Sequence, residues 1–147
     1  LINAKSENIE QNKTFEKKKK NNRCIILADS FIEWINENNQ KQPLRIVLND
    51  ESVFGIAGIY EEVDDKLYVS LITCNSNELL NPIHPRMPVI IESQSWTKYL
   101  ESFNSHLFKP FPSKNMRYYK VSPKINNSNN KSEDILKEYK QKNLFDY

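Results

Sequence analysis

Apolar and aromatic residues fall in short runs along the chain, separated by polar stretches rich in asparagine and lysine. Runs such as RCIIL, LRIVL, FGIAGIY and LYVSLIT are dense in β-branched and aromatic residues, which is typical of strands. The pattern predicts strands at 23–28, 31–35, 44–48, 54–62, 67–73, 87–92 and 117–122.

Helical spacing of apolar residues is rarer. The segment SQSWTKYLESF repeats large apolar side chains at the spacing of one helix face, at Trp96, Tyr99, Leu100 and Phe103. The segment SNELLNPI predicts a turn or two of helix that ends where Pro82 arrives. Many short strands with few helices predict an α+β domain dominated by a barrel-like, mixed or antiparallel sheet.

The chain length fits one domain, since 147 residues can bury a real hydrophobic core. We expect residues 1–130 to form this domain and residues 131–147 to form a C-terminal helix or tail. Within that tail, the segment SEDILKEYKQK predicts a short, mostly exposed helix at 132–142.

Charge is nearly balanced, with 21 basic and 19 acidic residues giving a formal net charge of +2. This excludes the global basic field that marks a constitutive nucleic-acid binder, so any such site is a local patch. The run Lys17, Lys18, Lys19, Lys20, with Arg23 just after it, is the candidate patch. The alternative is a solvated loop between two elements.

Cys24 and Cys74 lie in apolar, strand-like runs, and no CxxC motif or His/Cys cluster has the spacing of metal ligands. We therefore expect buried, reduced thiols in an intracellular protein, with no metal and no cofactor. No apolar run reaches the roughly 20 residues needed to cross a bilayer, and we expect no secretory leader because the first residues lack a charged-then-apolar pattern.

One histidine lies between two prolines in NPIHPRMPVII, residues 81–91. Proline fixes φ and pushes the residue before it toward extended geometry, so His84 is expected in a stiff turn that leads into a strand. Taken alone, this window is typical of a surface turn at the mouth of a strand, and a lone histidine is weak evidence for catalysis.

Five windows in order along the chain together resemble one family: NAKSE at 3–7, RCIILADSFIEW at 23–34, FGIAGIYEE at 54–62, SNELLNPIHPRMPVII at 76–91 and YYKVSPKINNSNN at 118–130. The chain resembles the SOS response-associated peptidase family, which includes the eukaryotic abasic-site processing proteins that bind 5-hydroxymethylcytosine DNA. The most specific windows are the Arg-Cys strand ending in Glu-Trp and the histidine followed by Arg-Met-Pro.

The resemblance implies a barrel-like sheet with a positively charged cleft for single-stranded DNA that carries abasic sites. In the family, a cysteine exposed by removal of the initiator methionine traps the abasic aldehyde as a thiazolidine, and the peptidase activity is this self-processing. Leu1 comes just before the first motif, so the segment with that cysteine is expected to be missing. The chain as given is then expected to be inactive in crosslinking, because neither internal cysteine replaces a terminal one.

The resemblance assigns catalytic roles to Asn3, Glu33 and His84. The amide of Asn3 would hold the terminal amine or the sugar oxygen. Glu33 would shuttle a proton near neutral pH, which burial beside Trp34 would favour by raising its pKa. His84 would sit within hydrogen-bond reach of the lesion, and a stiff turn suits that task. The bland alternatives are a turn asparagine and a strand glutamate that faces solvent.

The DNA contacts implied by the resemblance are Lys5, Arg86 and the run Lys17 to Lys20. Arg86 would bind a phosphate, with a surface ion pair as its alternative. Lys5 stands where the family usually carries arginine. Lysine keeps the positive charge but lacks the two parallel donors of a guanidinium. Leu27, Ser30 and Ile32 replace the family's proline, glycine and tyrosine, and Ser30 raises the question of a positive φ.

Three functions compete at this point. The first is a DNA-damage enzyme or trap for abasic single-stranded DNA, working as a monomer in the cytoplasm or nucleoid, or in a nucleus, without contact to a membrane. The second is a truncated or degenerate relative that binds single-stranded DNA without catalysis. The third is a globular domain whose sheet serves protein contacts, and the joint presence of Asn3, Glu33, His84 and Arg86 argues against it.

Overall fold

The computed structural model describes residues 2–11 and 21–139. Its strands are β1 (Ile2–Lys5), β2 (Arg23–Ala28), β3 (Phe31–Glu37), β4 (Gln40–Leu48), β5 (Phe54–Val63), β6 (Lys66–Asn75), β7 (Arg86–Pro88), β8 (Ile90–Ile91) and β9 (Met116–Lys120). Two α-helices are described, α1 (Ser6–Gln11) and α2 (Trp96–Glu101). Short 3-10 helices span Ser93–Ser95, Ser105–Leu107, Ser113–Asn115, Pro123–Asn126 and Glu133–Leu136.

The larger sheet has six strands in the order β1-β6-β5-β2, with β7 paired to β6 and β8 paired to β5. Strand β1 runs parallel to β6, whereas the other pairings are antiparallel. The β5–β6 hairpin turns at Asp64 and Asp65, both at positive φ, which aspartate tolerates better than most residues. The sheet is therefore mixed, which is one of the two arrangements, mixed or antiparallel, that the sequence predicts.

The smaller sheet is antiparallel, in the order β3-β4-β9, and one of its faces packs on the larger sheet. Buried Leu44 and Ile46 of β4 join Ile56 and Ile72 of the larger sheet in a single core. Between the sheets, Phe31 meets Phe54 edge to face, with ring centroids 6.5 Å apart. Two packed sheets with few short helices confirm the predicted α+β class and barrel-like architecture.

Helix α2 lies on the larger sheet's other face. Arg23 of β2 is only 8% exposed and donates from Nε to the Tyr99 carbonyl and from Nη2 to the Leu100 carbonyl, both at 2.7 Å. The Tyr99 hydroxyl in turn donates to the Gly58 carbonyl at 2.8 Å. These bonds satisfy carbonyls at the end of a short helix, which would otherwise lack partners. Arg23 thus anchors α2 to β2 from a buried position.

The seven strands that the sequence predicts are present, with the 87–92 run divided into β7 and β8. Strand β1 and helix α1 were not predicted, because their segment lacks a clear period of two or 3.6. The segment SNELLNPI forms turns at 78–83 instead of the predicted turn or two of helix, and these turns continue past Pro82, with the amide of His84 bonded to the Leu80 carbonyl at 2.9 Å. Ser30 has no positive φ, so the replacement of glycine there leaves no backbone strain.

The predicted C-terminal helix at 132–142 is wrong for its described part. Only Glu133–Leu136 is helical, as a 3-10 turn, and residues 140–142 lie outside the described ranges. The amide of Tyr139 bonds the Lys120 carbonyl at 2.7 Å, Glu138 pairs with Val121, and Arg45 donates to the Leu136 carbonyl. Pairing with the end of β9 therefore overrides local helix propensity. No helix within the described ranges is long and apolar enough to cross a membrane.

Candidate functional site

Glu33 and His84 come together where strand β3 meets the turn before β7. Oε1 of Glu33 lies 3.9 Å from Nδ1 of His84, and their side chains are 22% and 48% exposed. Glu33 belongs to the smaller sheet and His84 to the turn that leads into β7 of the larger sheet, so the fold and not local sequence brings them together. We call this pair the Glu33–His84 site.

Glu33 lies on the core-facing side of β3, in register with buried Leu44. Burial raises the pKa of its carboxyl above the ordinary value of 4.5, and the imidazole of His84 offsets part of this rise. Trp34 does not cause the burial, because neighbouring side chains on a strand point to opposite faces. Its indole instead donates to Oδ1 of Asn126 at 2.8 Å. The direction of the shift suits a carboxyl that exchanges protons closer to neutral pH.

His84 is held by its own backbone neighbourhood. Its Nδ1 lies 3.1 Å from the Arg86 amide nitrogen and 2.9 Å from the Arg86 carbonyl oxygen. When Nδ1 is bare it accepts from the amide, and when it carries a proton it donates to the carbonyl. The ring therefore keeps a partner in either protonation state, which fits a group that transfers protons without moving.

The turn that carries His84 is anchored to the core by Asn77, which is 9% exposed. Its Oδ1 accepts from the Leu80 amide at 3.0 Å, and its Nδ2 donates to the Phe111 carbonyl at 2.7 Å. This side chain replaces the backbone partners that a turn lacks, as asparagine commonly does. Asn77 thus adds to the stiffness that Pro82 and Pro85 give the turn.

Arg86 connects three elements through its guanidinium, and its side chain is 18% exposed. Its Nη1 and Nη2 donate to Oε1 and Oε2 of Glu7 at 2.7 and 3.0 Å. Nη1 also donates to Oδ1 of Asn75 at 2.9 Å, and Nη2 to the carbonyl of Thr73 at 2.5 Å. Arg86 thus ties β7 to α1 and β6, and the ion pair named as its alternative is present in the structure.

Asn3 and Lys5 are exposed on β1, with buried Ala4 between them. Lys5 is in register with Thr73, whose hydroxyl lies 3.3 Å from Nη2 of Arg86. Paired residues share a face of the sheet, so Lys5 and Asn3 lie on the face that carries Thr73. In the described part of the chain, no hydrogen bond or ion pair joins Asn3 to Glu33 or to His84.

The structure also reveals partners that sequence reasoning missed. Glu7 belongs to the quoted window NAKSE, yet its ion pair with Arg86 had no sign in the spacing, since the partners lie 79 positions apart. Thr73 is the last residue of the predicted strand 67–73, and Asn75 lies beyond that strand, so sequence reasoning assigned neither residue a role. Of the three partners only Glu7 lies in a window of the family resemblance, two positions from Lys5.

The structure does not place every candidate residue. Lys17, Lys18, Lys19 and Lys20 lie outside the described residues. Cys24 is partly buried and Cys74 is buried, both as free thiols within strands, and burial raises the pKa of Cys74 to about 11. In residues 2–11 and 21–139, no group of three His, Cys, Asp or Glu side chains is arranged to hold a metal ion.

Comparisons with known proteins bear on the whole domain. A family model described as SOS response associated peptidase (SRAP) matches residues 1–128. The chain is 34% identical over 151 residues to a Bacillus subtilis protein named abasic site processing protein YoqW, covering 95% of this chain and 67% of that protein. It is 28% identical over 145 residues to abasic site processing protein HMCES of Xenopus tropicalis, covering 80% of this chain and 43% of that protein.

A solved structure gives the same result for the fold. The crystal structure of a protein from Bacteroides thetaiotaomicron matches with a TM-score of 0.79 and 27% identity, covering 93% of this chain and 65% of that one. The chain thus spans about two thirds of the bacterial proteins and less than half of the frog protein.

Proposed function

The chain belongs to the SOS response associated peptidase family, and from this membership we propose that it binds single-stranded DNA beside the Glu33–His84 site and processes abasic sites there. The observation that carries the proposal is the 3.9 Å approach of a half-buried carboxyl to an imidazole on a rigid turn. Two proton-transfer groups side by side are what sugar opening and carbinolamine dehydration need. The names of the bacterial and frog relatives support the same lesion.

In this proposal Glu33 protonates the carbinolamine hydroxyl, which leaves as water, and the resulting carboxylate accepts the proton that the thiol releases when its sulfur adds to the imine carbon. His84 has a backbone partner for Nδ1 in both protonation states, which leaves Nε2 for the substrate. Asn3 holds the attacking amine or the sugar oxygen through its side-chain amide. These assignments follow the family resemblance, and the exposed position of Asn3 on the face shared with Thr73 is compatible with them.

A thiazolidine needs an amine and a thiol on the same residue, because the amine forms an imine with the aldehyde and the thiol then adds to the imine carbon. Cys24 and Cys74 lie within strands, so their backbone nitrogens are amides, and burial raises the pKa of both thiols. We therefore propose that neither residue is the nucleophile and that an N-terminal cysteine serves this role in the family's chemistry.

Lys5 is the cation proposed to meet DNA most directly, since it is exposed on the face that carries Thr73. Lys98 offers a matched control because it is exposed on α2, which Arg23 holds to the opposite face of the sheet. The run Lys17 to Lys20 remains a proposed contact.

Fluorescence anisotropy with labelled single strands, with and without an abasic site, tests the proposal at several salt concentrations. Each phosphate neutralised contributes a slope of about −0.7 in log affinity against log salt. We expect Lys5→Ala to weaken binding and flatten the slope by about one contact, whereas Lys98→Ala leaves both unchanged. Equal behaviour of the two variants would contradict a DNA site at this face.

Catalysis is tested separately with a version of the chain that is extended at its N-terminus so that it begins with cysteine. This extended chain is incubated with single-stranded DNA that contains an abasic site. The extended chain should form heat-stable adducts with the DNA, which denaturing gels detect. The Glu33→Gln variant of the extended chain should form them more slowly, although both proteins bind DNA with the same affinity. Binding without any adduct in this extended chain would favour the non-catalytic DNA-binding alternative. An adduct formed at Cys24 or Cys74 would overturn the assignment of the nucleophile.

A further inference from the structure

The terminal nitrogens of Arg86 have no hydrogen left for another ligand. Nη1 donates to Glu7 and to Asn75, and Nη2 donates to the other Glu7 oxygen and to the Thr73 carbonyl. The remaining donor, Nε, is buried without a partner in the described chain. Since a guanidinium has five donor hydrogens, a phosphate cannot simply be added to this arrangement.

We infer that Glu7 occupies the anion-binding side of Arg86 and that a DNA phosphate reaches this arginine only by displacing the Glu7 carboxylate. This inference rests on the proposed single-strand binding. A carboxylate and a phosphodiester carry the same single negative charge and present two oxygens to the guanidinium fork. Glu7 therefore competes with external anions for the Arg86 guanidinium. An anion binds Arg86 only if its own affinity for the guanidinium exceeds that of the Glu7 carboxylate.

The Thr73 carbonyl is fixed in the backbone of β6, whereas Asn75 and Glu7 bind Arg86 through their side chains. Thr73 accepts through its backbone carbonyl within β6, and Asn75 is the last residue of the same strand, in register with Arg86. Glu7 instead lies in the first turn of a six-residue helix and its side chain is 50% exposed. Rotation of this side chain into water releases both Nη atoms from the carboxylate and leaves their bonds to β6 intact.

The arrangement also has a consequence for selectivity. The ion pair is bidentate and only partly exposed, so a single weakly bound anion gains little by replacing it. A phosphate within a bound single strand is held near Arg86 by the contacts of its neighbours, which raises its effective concentration. Glu7 would therefore discriminate against free anions and in favour of a strand that is already bound elsewhere on the site.

The test compares Glu7→Gln with Glu78→Gln, which removes one charge from another exposed position. Glutamine keeps the size of the side chain, so folding is retained in both variants. With an oligothymidylate probe, we expect Glu7→Gln to bind about three- to tenfold tighter and to steepen the salt slope by about 0.7, as one phosphate is added. In a chain that also carries Arg86→Gln, the gain in DNA affinity from Glu7→Gln should be no larger than the gain from Glu78→Gln.

Equal effects of Glu7→Gln and Glu78→Gln, or a loss of affinity in Glu7→Gln, would show that Glu7 only holds Arg86 in place and would overturn the inference. If no variant binds DNA, the proposed function is wrong. A second measurement then tests whether Glu7 competes with anions for Arg86. Inorganic phosphate is titrated while the Nε–H resonance of Arg86 is followed by NMR. A midpoint at least threefold lower in Glu7→Gln supports displacement, whereas equal midpoints refute it.

Discussion

Glu33 and His84 approach to 3.9 Å with a carboxyl that has lost much of its water and a ring that remains half exposed. Burial is the larger influence on the carboxyl and raises its pKa, and the ring only partly offsets this. Burial therefore disfavours the charged form of Glu33 in the folded protein, and His84 compensates for this only in part. Such a group lowers the stability of the folded state, and it is compatible with the proton transfer proposed for Glu33.

Glu33→Gln is expected to stabilise the protein near pH 7 by on the order of 1 kcal/mol, because it removes a poorly solvated charge. A raised pKa means that the folded state binds the proton more tightly than the unfolded state. Stability of the parent therefore falls as pH rises above about 4.5, the ordinary value for Glu33. Urea unfolding at several pH values should show the gain of the variant growing with pH.

The control for this prediction is the same substitution in a His84→Gln background. Without the ring, nothing offsets the burial of Glu33, so the gain from Glu33→Gln should increase. A gain that is constant from acid to neutral pH would show that Glu33 has the same pKa in both states, and the prediction would fail.

The fold was predictable because, in the core strands, residue composition and the positions of turn residues indicate the same secondary structure. The runs at β2 and β5 were predicted at their observed starts, since β-branched residues and turn residues agree there. The prediction of a helix in the C-terminal segment was wrong because local spacing and long-range pairing disagree there. The 132–142 segment has helical spacing, yet long-range pairing of Tyr139 with Lys120 decides its conformation, and this pairing leaves no local trace.

The candidate site was predictable only through the family resemblance. Spacing alone gave no reason to connect Glu33 with His84, because a strand of the smaller sheet meets a distant turn of the chain at this point. The resemblance selected Arg86 as a phosphate ligand, but it could not show that Glu7 already holds the guanidinium. Partners of this kind depend on register, here Asn75 opposite Arg86 and Thr73 opposite Lys5, and register appears only with the fold.

Glu7→Gln is expected to lower the free energy of unfolding by up to about 1 kcal/mol at neutral pH, a modest loss because the pair is partly exposed. The hydrogen bond from Arg86 holds the pKa of Glu7 near 2, below its ordinary 4.5. A depressed pKa contributes stability that is present above pH 4.5 and lost as pH falls toward 2. Acid titration of unfolding should show parent and variant converging over this window, and a parallel course would contradict the ion pair.

Gly55→Ala is expected to destabilise the protein by roughly 1–3 kcal/mol through overpacking. A methyl group at this position would lie 2.6 Å from Nε1 of Trp96 and 2.7 Å from a methyl carbon of Ile25. The indole cannot easily retreat, because Nε1 donates to the Ile91 carbonyl at 2.7 Å. Chemical denaturation measures the loss. In a Trp96→Phe background the added cost should shrink, and an unchanged cost would show that the clash with Trp96 is not its cause.

Arg23→Lys is expected to destabilise the protein by about 1–3 kcal/mol while leaving DNA affinity unchanged. Arg23 serves two carbonyls of α2 at once from a buried position, and a lysine ammonium cannot reproduce that planar geometry. Arg117→Lys is the matched control, since Arg117 is exposed and pairs with Glu51 on the surface, where the loss should stay within about 0.5 kcal/mol. Urea unfolding measures both losses, and anisotropy with single-stranded DNA is measured under conditions where both variants are folded. A variant at Arg23 that unfolds like the parent but binds DNA more weakly would reverse its assignment from helix anchor to nucleic-acid contact.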